Sequence, residues 1–510
     1  MAELNRLPGF PRASFLCEPY VEAKALAETE MFAPVSDRKT IFAPASGIGR
    51  AAIGIVRISG PESAAALRAL TGRQPPPPRR ASLRMLRDPG TGENLDRGLV
   101  LWFPAPHSYT GEDAAELQVT GGRAVLAGVM GALGGLPDMR PAEPGEFAWR
   151  AFENRKLDLS QIEGLADLVD AQTQAQRRQA LRIAGGALSR EADEARALIL
   201  DAMAQAEAAI DFSDQEDVGE ATLAEARAVA AAASARLRDH LRQADRGERL
   251  REGFNIVIAG PPNVGKSTLL NALARRDVAI VSDIPGTTRD ALEVHLELRG
   301  LPVTLIDTAG LRETADPIEQ AGVARARRRA ADADLVLWLS EGGQREPANG
   351  KLAAAKAAGA SRSSRETGAT IELARRSVDE SGAPPRNAAG GPRVLHIATK
   401  IDQGGDPPSD AIPISAKTGQ GIERLLDSIA AAAEEGLAGG DQALVVSARH
   451  RAAFEEAVAH LERAMESEGA AAEFFAEDLR LAARALERIA GRIDVEDVLG
   501  QIFARLCIGK

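Results

Sequence analysis

A phosphate-binding pattern lies in the middle of the chain. The residues from Gly260 to Ser267, GPPNVGKS, fit the pattern G-x-x-x-x-G-K-[ST], in which glycines let the backbone curl around an anion. The run FNIVIA before them is typical of a buried strand, and the residues from Thr268 to Leu273 are typical of a helix. Successive N–H groups and the helix N-terminus would then face the phosphates. We expect Lys266 to reach the outer phosphates and Ser267 to bind magnesium.

Two later segments would complete the phosphate and magnesium site. The strand-like run LPVTLI ends in Asp307-Thr308-Ala309-Gly310, which would place a carboxylate near the magnesium ion and a backbone N–H near the terminal phosphate. The segment SDIPGTTRD, Ser282 to Asp290, lies between the phosphate loop and this strand. It has the position of a switch loop that supplies a second magnesium ligand from a threonine.

Two further segments predict recognition of guanine. Thr399-Lys400-Ile401-Asp402 follows another strand-like run, and its aspartate can accept both N–H groups at the edge of guanine, an arrangement that adenine does not offer. Ser415-Ala416-Lys417 would complete the base pocket. The motifs together predict a GTP site made of Asn263, Val264, Gly265, Lys266, Ser267, Thr268, Ser282, Asp283, Ile284, Pro285, Gly286, Thr287, Thr288, Asp307, Thr308, Ala309, Gly310, Thr399, Lys400, Ile401, Asp402, Ser415, Ala416 and Lys417.

The elements that must position these motifs alternate between strands and helices. Six strand-like segments recur: FNIVIAG, ALEVHLELRG, LPVTLIDTAG, ADLVLWLS, RVLHIATK and AIPISA. This alternation indicates a mostly parallel sheet with helices on both faces. We therefore predict a Ras-like phosphate-loop domain at 251–436, with a surface insertion at about 341–392 that is rich in Ala, Ser, Arg and Gly.

The chain before this region shows three kinds of sequence pattern, in residues 1–37, 38–146 and 147–250. Residues 1–37 have no clear period and predict a poorly ordered extension, with Met31 as an alternative start. Short apolar strands with glycine punctuation then predict a compact α+β domain at 38–146, in which the proline run 75–78 is an extended surface loop.

Residues 147–250 have apolar positions at three- and four-residue spacing, and the same pattern resumes at 437–510. The two stretches are either halves of one helical domain, interrupted by the inserted α/β domain, or two separate bundles.

Composition limits the kinds of partner. The chain has 510 residues and a formal net charge of −11, which argues against a surface that binds nucleic acid all over. Any RNA must then be held by a local basic face or by another subunit. Cys17 and Cys507 lie at opposite ends of the chain, so a disulfide framework and a Cys-x-x-Cys metal site are excluded. Without a long apolar run or a signal pattern, we expect a cytoplasmic protein that does not enter the membrane.

Together these motifs resemble the MnmE (TrmE) family of tRNA-modifying GTPases. The resemblance extends from Thr40 to Lys510 and includes GRAAIGIVRISG, SYTGEDAAELQ, PGEFAWRAFENRKLDLSQIEGLADL, DIPGTTRD, DTAGLRE and the terminal CIGK. It implies a homodimeric GTP hydrolase with a folate-binding domain, a helical domain and an inserted GTPase domain. With an FAD-dependent MnmG partner, the protein would add a carboxymethylaminomethyl-type group to the wobble uridine of certain tRNAs.

The resemblance also implies a folate site. A 5-formyl- or methylene-tetrahydrofolate would supply the one-carbon unit and would be bound by Arg57, Glu116 and Lys156, with Lys510 nearby. The assignment is chemically reasonable, because cations can hold the folate carboxylates and a glutamate can accept hydrogen bonds from the pterin edge.

The family's hydrolysis mechanism depends on potassium. Leu311 stands directly after DTAG, where related GTPases have a glutamine that orients water, and an apolar side chain cannot do this. The resemblance implies that potassium takes the electrostatic role of an arginine finger when two GTPase domains meet. Its ligands would be Asn263, Ser282, Ile284 and Thr287, the magnesium ligands would be Ser267 and Thr288, and the catalytic residues would be Glu319, Lys266 and Asp307.

Three departures from the family pattern qualify the resemblance. Thr399 stands where the family usually has an asparagine that braces the guanine pocket, so nucleotide affinity is expected to be weaker. Thr120 replaces a common histidine, and the insertion at 341–392 has no family counterpart.

Two other functions compete with this interpretation. A ribosome- or RNA-assembly GTPase would have the same nucleotide motifs but would not need Arg57, Glu116 and Lys156 in their arrangement. Cys507 as a catalytic nucleophile is a weaker hypothesis, because no base accompanies it in the sequence.

Overall fold

The computed structural model describes residues 39–47, 49–211, 216–276, 278–279, 293–307, 333–342, 393–404, 406–466 and 472–493. The chain divides into two compact units. The first comprises Met1–Ala166 with Ala490–Lys510, and the second comprises Asp167–Ile489.

The first unit is an α+β domain, as its sequence pattern predicts. Its elements are β1 (Thr40–Pro44), β2 (Ile53–Ser59), α1 (Ser63–Thr71), β3 (Ser82–Arg87), β4 (Asn94–Phe103), β5 (Ala114–Thr120), α2 (Arg123–Gly134), β6 (Met139–Pro141), α3 (Glu146–Glu153) and α4 (Leu159–Asp170), whose last turn lies in the second unit. The strands form one sheet in the order β3-β4-β5-β2-β1-β6. All neighbouring pairs are antiparallel except β1 with β6.

Alternation along the strands determines which face of this sheet is buried. Val56, Ile58 and Leu117 point to one face, where they form a core with Leu67 of α1 and Leu133 of α2. The intervening residues lie on the opposite face, because successive side chains of a strand alternate. The candidate folate residues of β2 and β5 lie on this second face. The compact unit extends beyond the predicted domain boundary at 146, and the three-domain division of the chain stays a prediction.

The second unit combines long helices with an α/β region. Its elements are α5 (Gln174–Ala184), α6 (Ala187–Asp211), α7 (Glu216–Glu252), β7 (Phe254–Ala259), α8 (Lys266–Ala274), β8 (Glu293–Leu298), β9 (Leu301–Asp307), β10 (Leu335–Glu341), β11 (Arg393–Thr399), β12 (Ile412–Pro413), α9 (Ile422–Leu437), α10 (Ala448–Glu466) and α11 (Ala472–Glu487), with short 3-10 helices at Ile401–Gln403 and Gly440–Gln442.

The long helices before and after the α/β region share one hydrophobic core. Ile199 of α6, Leu237 of α7, Phe454 of α10 and Leu479 of α11 belong to the same buried cluster. Alanines recur along the buried side of α7, and such small side chains let neighbouring helices approach closely. The shared core supports one helical domain interrupted by an insertion over two separate bundles.

The α/β region contains a mostly parallel sheet in the order β12-β11-β10-β7-β9-β8. Among the described strands, only β8 with β9 is antiparallel. Every residue of the central strand β7 is buried, as expected for a strand with neighbours on both edges and apolar cores on both faces. Helices α8 and α9 pack on one of these faces.

Over the stretches that the structure describes, no helix combines the length and apolar character needed to cross a bilayer.

Candidate functional site

The phosphate loop joins the buried strand β7 to helix α8. Gly260 has φ +144°, and a Cβ atom there would lie 2.5 Å from the carbonyl oxygen of Leu339, so the strand exit requires glycine. Asn263 has φ +61° and Gly265 has φ +104°, and the helix starts at the next residue. The backbone therefore turns sharply just before α8, in front of the helix N-terminus, where a phosphate group would bind.

The side chain of Lys266 lies across this loop. Its Nζ donates hydrogen bonds to the carbonyl oxygens of Gly260 and Pro261, each at 3.0 Å. Burial lowers the pKa of the Lys266 ammonium, and the nearby charge of Asp307 acts in the opposite direction. The lysine is thus positioned at the loop, where the outer phosphates are expected.

Ser267 and Asp307 converge although 40 residues separate them. Strands β7 and β9 are parallel neighbours with Ile258 opposite Asp307, so both strands end at the same edge of the sheet. Ser267 lies at this edge because it follows β7 through the phosphate loop. The Ser267 Oγ atom donates a 2.7 Å hydrogen bond to Oδ2 of Asp307, which is 4% exposed. A hydroxyl and a carboxylate are hard oxygen donors of the kind that magnesium prefers, so these residues fit the predicted ion.

The predicted guanine motif lies at the end of β11 and contacts the phosphate loop. Thr399 donates hydrogen bonds from Oγ1 to the carbonyl oxygens of Val264 (2.7 Å) and Ser340 (3.1 Å). The expectation that threonine removes the brace of this pocket is therefore only partly right, because the hydroxyl supplies a brace of its own. The effect on nucleotide affinity stays a prediction.

Asp402 and Ser415 come together as the sequence predicts. Asp402 lies in the 3-10 helix that follows β11, and the preceding Lys400 has φ +57° and forms an ion pair with Glu341 at 2.8 Å. A hydrogen bond from Ser415 lowers the pKa of Asp402, and the charge of Lys417 contributes in the same direction. Asp402 is thus held as a carboxylate, the form that accepts two N–H groups.

The other residues of the predicted base pocket lie close to these two. The backbone N–H of Ile401 donates to the carbonyl of Ile414 at 3.4 Å. Thr268, Ala416 and Lys417 line one cleft of about 550 Å³ between α8 and the residues before α9. The structure therefore brings the phosphate-loop helix and the Ser415 to Lys417 segment together.

A second polar cluster lies in the first unit, around the predicted folate residues. Arg57 and Glu116 face each other across β2 and β5, and Nε and an NH2 group of Arg57 contact Oε1 of Glu116 at 3.1 and 3.0 Å. The guanidinium carbon of Arg57 lies 5.1 Å from the ring centre of Tyr109 and 5.9 Å from that of Phe147. Both aromatic residues occur in quoted signatures, but the motifs gave no reason to assign them a role in the site.

Lys156 contacts the loop between β4 and β5. Its Nζ donates to the carbonyl oxygen of Pro106 at 3.1 Å, and a Cβ on Gly111 would lie 3.2 Å from the Lys156 side chain. The loop between β4 and β5, which carries Tyr109, therefore connects Lys156 with Arg57.

A network of charged side chains in the first unit is centred on the buried carboxylate of Glu146. Glu146 is fully buried and accepts hydrogen bonds from Arg140, from Arg150 and from the backbone N–H of Glu143. Burial alone would raise the pKa of Glu146, but these three donors outweigh it and hold the pKa below its usual value. Arg150 continues the network to Glu112 at 3.1 Å. Arg140, Glu146 and Arg150 lie within eleven residues of one another, but no motif indicates that Glu146 is buried or that Arg150 also reaches Glu112, 38 residues away.

Thr120, the second departure from the family pattern, has a structural contact. Its backbone N–H donates to Oδ2 of Asp96 at 2.6 Å at the end of β5.

Several predicted site residues lie outside the described part of the chain. They are Ser282, Asp283, Ile284, Pro285, Gly286, Thr287, Thr288, Thr308, Ala309, Gly310, Glu319 and Lys510, and Leu311, Cys507, the extension at 1–37 and most of the insertion at 341–392 share this position.

The buried strand, the phosphate loop and the paired Ser267 and Asp307, together with Asp402 held by Ser415, indicate the class of protein, a phosphate-loop GTPase carried within a longer chain. A family model described as the MnmE helical domain matches residues 159–507, and one described as the GTP-binding protein TrmE N-terminus matches residues 40–156. The chain therefore belongs to the MnmE (TrmE) family.

Curated relatives match over nearly their whole length. The tRNA modification GTPase MnmE of Methylobacterium sp. (strain 4-46) is 53% identical over 481 residues, covering 92% of this chain and 99% of that protein. The protein of the same name from Beijerinckia indica is 50% identical over 487 residues, covering 95% and 99%. Among solved structures, a single-residue variant of Aquifex aeolicus Era bound to GDP and AlF4⁻ is 24% identical over 35% of this chain and 56% of that one, with a TM-score of 0.21.

Proposed function

We propose that this chain hydrolyses GTP in the modification of tRNA, as the names of its relatives indicate for them. With an FAD-dependent MnmG-type partner, it would add a carboxymethylaminomethyl-type group to wobble uridines in the cytoplasm. The observation that carries the nucleotide part is the 2.7 Å hydrogen bond between Ser267 and Asp307 beside the phosphate loop.

Magnesium would be held by Ser267 and Thr288, with Asp307 as an acceptor beside them. The ion would neutralise charge on the phosphates during hydrolysis. Lys266 would bind the outer phosphates by exchanging its two loop carbonyls for phosphate oxygens. Asp402 would accept the guanine N–H groups, with Ser415 orienting its carboxylate.

Potassium would activate hydrolysis when two GTPase domains of a homodimer meet. Asn263, one of the assigned potassium ligands, lies in the phosphate loop with φ +61°. The other assigned ligands are Ser282, Ile284 and Thr287, and Glu319 would orient the attacking water. We expect the GTPase rate to rise at least tenfold when sodium is replaced by potassium.

The Asn263→Ala and Glu319→Ala variants should each lose this potassium response. Asn94→Ala is the matched control, because Asn94 lies on strand β4 of the first unit and contacts Arg87 there. Equal rates in sodium and potassium would contradict the ion-assisted mechanism, and light scattering with GDP and AlF4⁻ would test the homodimer.

The folate part of the proposal rests on Arg57, Glu116 and Lys156. The two hydrogen bonds from Arg57 described above end on Oε1 of Glu116, and we assign Oε2 to the N–H groups of a pterin edge. Arg57, Lys156 and Lys510 would supply the positive charge that folate carboxylates require.

Titration with 5-formyl-tetrahydrofolate tests this part of the proposal and separates it from an assembly GTPase. We expect binding by the unaltered protein and at least a tenfold weaker affinity in Glu116→Gln. Glu93→Gln is the control, because Glu93 is exposed in the turn before β4. An absence of binding by the unaltered protein would favour the RNA-assembly alternative.

The complete proposal is tested in cells that lack this protein. Mass spectrometry of tRNA nucleosides should detect the loss of the wobble modification, its restoration by the intact chain, and reduced restoration by a chain that lacks Lys510. Unchanged nucleosides in the deficient cells would contradict the proposed function.

A further inference from the structure

Helix α5 presents a cluster of positive charge in an otherwise acidic protein. Between Ala171 and Arg190 the chain contains four arginines, Arg177, Arg178, Arg182 and Arg190, and no Asp or Glu. All four are exposed, whereas the whole chain has a net charge of −11. We call these four side chains the α5 arginine cluster.

Amphipathic spacing places three of these arginines on the outer side of α5. Ala175, Gln179, Ala180 and Ile183 are buried, and Arg177, Arg178 and Arg182 occupy exposed positions between them. Arg190 joins them from α6, because its guanidinium donates to the carbonyl oxygen of Gly185 at 2.8 Å, at the C-terminal end of α5. Cations are favoured at this end of a helix.

The helix that carries the cluster is firmly anchored. A capping box between Thr173 and Gln176 begins it. The buried side chain of Gln179 donates to the carbonyl oxygens of Gly247 (3.0 Å) and Gly440 (2.9 Å), which ties α5 both to α7 and to the 3-10 helix after α9. The charges therefore stand on a rigid support and need little ordering when a ligand binds.

Among the described residues, most arginines of this cluster form no ion pair with a carboxylate, in contrast to other exposed arginines of the second unit. Arg238, Arg242 and Arg480 each form an ion pair, with Glu462, Asp239 and Glu477 respectively. Within the described residues, Arg178 is the member of the α5 arginine cluster with a carboxylate partner, Asp441.

The remaining members bind neutral groups. Arg182 donates to the backbone carbonyl of Asp441 at 3.3 Å, and Arg177 donates to the side-chain oxygen of Gln174 at 3.0 Å. Their charge thus remains available to an anionic partner.

We infer that the α5 arginine cluster is a surface that binds the phosphate backbone of RNA. Arginine suits this partner because its planar guanidinium can contact two phosphate oxygens at once. Arg178 and Arg182 lie four residues apart, about 6 Å along the helix axis and on the same side of it, whereas Arg177 lies about 140° around the helix from Arg182, so the cluster would contact phosphates along a backbone that curves over the exposed side of α5. The inference rests on the proposed function for the identity of the RNA as tRNA.

The test compares tRNA affinity of the full-length protein and its variants over a series of salt concentrations. Fluorescence anisotropy with a labelled tRNA transcript measures the affinity. In the triple variant Arg177→Gln, Arg182→Gln and Arg190→Gln we expect at least a tenfold weaker affinity. The slope of log K against log salt should fall by about 2 to 3, because each lost phosphate contact removes about 0.7 to 0.9.

A matched control removes the same net charge elsewhere. The variant Arg238→Gln, Arg242→Gln and Arg480→Gln loses three exposed arginines that are already paired. It should retain the affinity of the unaltered protein within about twofold if local rather than total charge determines binding. The variant Arg177→Lys, Arg182→Lys and Arg190→Lys keeps the positive charge, and its salt dependence should be close to that of the unaltered protein.

Folding of each variant is checked by thermal unfolding, and Arg177→Glu alone provides a milder version if the triple variant unfolds. This single change should weaken tRNA binding at least threefold. Unchanged affinity and slope in the cluster variants, or equal losses in the control, would overturn the inference while leaving the proposed function intact. No binding of tRNA by the unaltered protein would overturn the inference, and the nucleoside measurement in cells would then decide the proposed function separately.

Discussion

The Thr399 hydroxyl links the guanine motif to the phosphate loop through a 2.7 Å hydrogen bond to the carbonyl oxygen of Val264. Both residues are buried. The end of strand β11 therefore helps to hold the backbone that surrounds the phosphates. The sequence predicts that a brace is lost at Thr399, and the structure shows that its short side chain makes this contact.

Replacing Thr399 by valine should weaken nucleotide binding. Valine has nearly the same shape but cannot donate, so the carbonyl of Val264 would lose a buried partner, at a cost of about 1 to 3 kcal/mol. We expect the Kd for GDP to rise about tenfold, measured by fluorescence of a labelled nucleotide. Thr399→Ser keeps the hydroxyl and should bind like the unaltered protein, so equal weakening in both variants would contradict this role.

Removing the hydroxyl of Ser267 should weaken the effect of magnesium on GTP binding and hydrolysis. In Ser267→Ala the Asp307 carboxylate loses its 2.7 Å partner, and the ion would lose a ligand. We expect GTP hydrolysis to fall at least a hundredfold, and the dependence of GTP affinity on magnesium concentration to weaken.

Ser340→Ala provides the control, because Ser340 is a serine near the end of strand β10 whose hydroxyl contacts the carbonyl oxygen of Ile397. A Ser267→Ala protein that hydrolyses GTP at the normal rate with the normal magnesium response would exclude this assignment.

Replacing Asp402 by asparagine should change which base is bound. Asparagine cannot accept both guanine N–H groups, but it can donate to the additional oxygen of xanthine. We expect GTP affinity to fall by a factor of about a hundred and binding of xanthosine triphosphate to improve, measured by competition with a labelled nucleotide.

Ser415→Ala should have a smaller effect of the same kind. It leaves the carboxylate but removes the hydrogen bond that lowers the pKa of Asp402 and orients it. Asp410→Asn, in the exposed turn before β12, is the control. An Asp402→Asn protein that still prefers GTP would exclude the proposed recognition.

Replacing Glu146 by glutamine should destabilise the first unit in a pH-dependent way. The folded-state pKa of Glu146 is lowered from 4.5, so its contribution to stability is present above about pH 4.5 and is lost as the pH falls through the lower folded-state value. Glutamine removes the charged acceptor that Arg140 and Arg150 share, while Arg150 keeps Glu112, and breaking such a buried pair costs about 3 to 5 kcal/mol.

Thermal unfolding should therefore show the largest difference between Glu146→Gln and the unaltered protein at pH 7 and a smaller difference at pH 4. Glu143→Gln is a neighbouring control, since only the backbone of Glu143 contacts Glu146. A difference that grows on acidification would contradict the role given to this carboxylate.

Local patterns predicted the elements of the fold and the residues that bind phosphate. Apolar runs located the strands, and the motifs predicted that Ser267 and Asp307 meet because both are assigned to the magnesium site. The pairing of helices across the inserted region was left open, because periodicity identifies a buried face but not its partner. The common core of α6, α7, α10 and α11 supplied the missing information.

Contacts between distant side chains could not be predicted. The bond from Thr399 to Val264 spans 135 residues, and the sequence indicated only that an expected amide was missing. The network around Glu146 and the contact of Lys156 with Pro106 depend on how one loop folds against two helices. The resemblance nevertheless assigned Arg57 and Glu116 to one site, and the structure brings their side chains to 3.0 Å.

The longest helix among the described residues leads almost directly into the strand that precedes the phosphate loop. Gly253, with φ +91°, alone separates the end of α7 at Glu252 from the start of β7 at Phe254. The 37 residues of α7 span about 55 Å at about 1.5 Å per residue, and a tilt of roughly one degree about this glycine would move the far end by about 1 Å. A rigid rotation of α7 about Gly253 would therefore convert a small rearrangement near the phosphates into a larger displacement at the distant end of the helix.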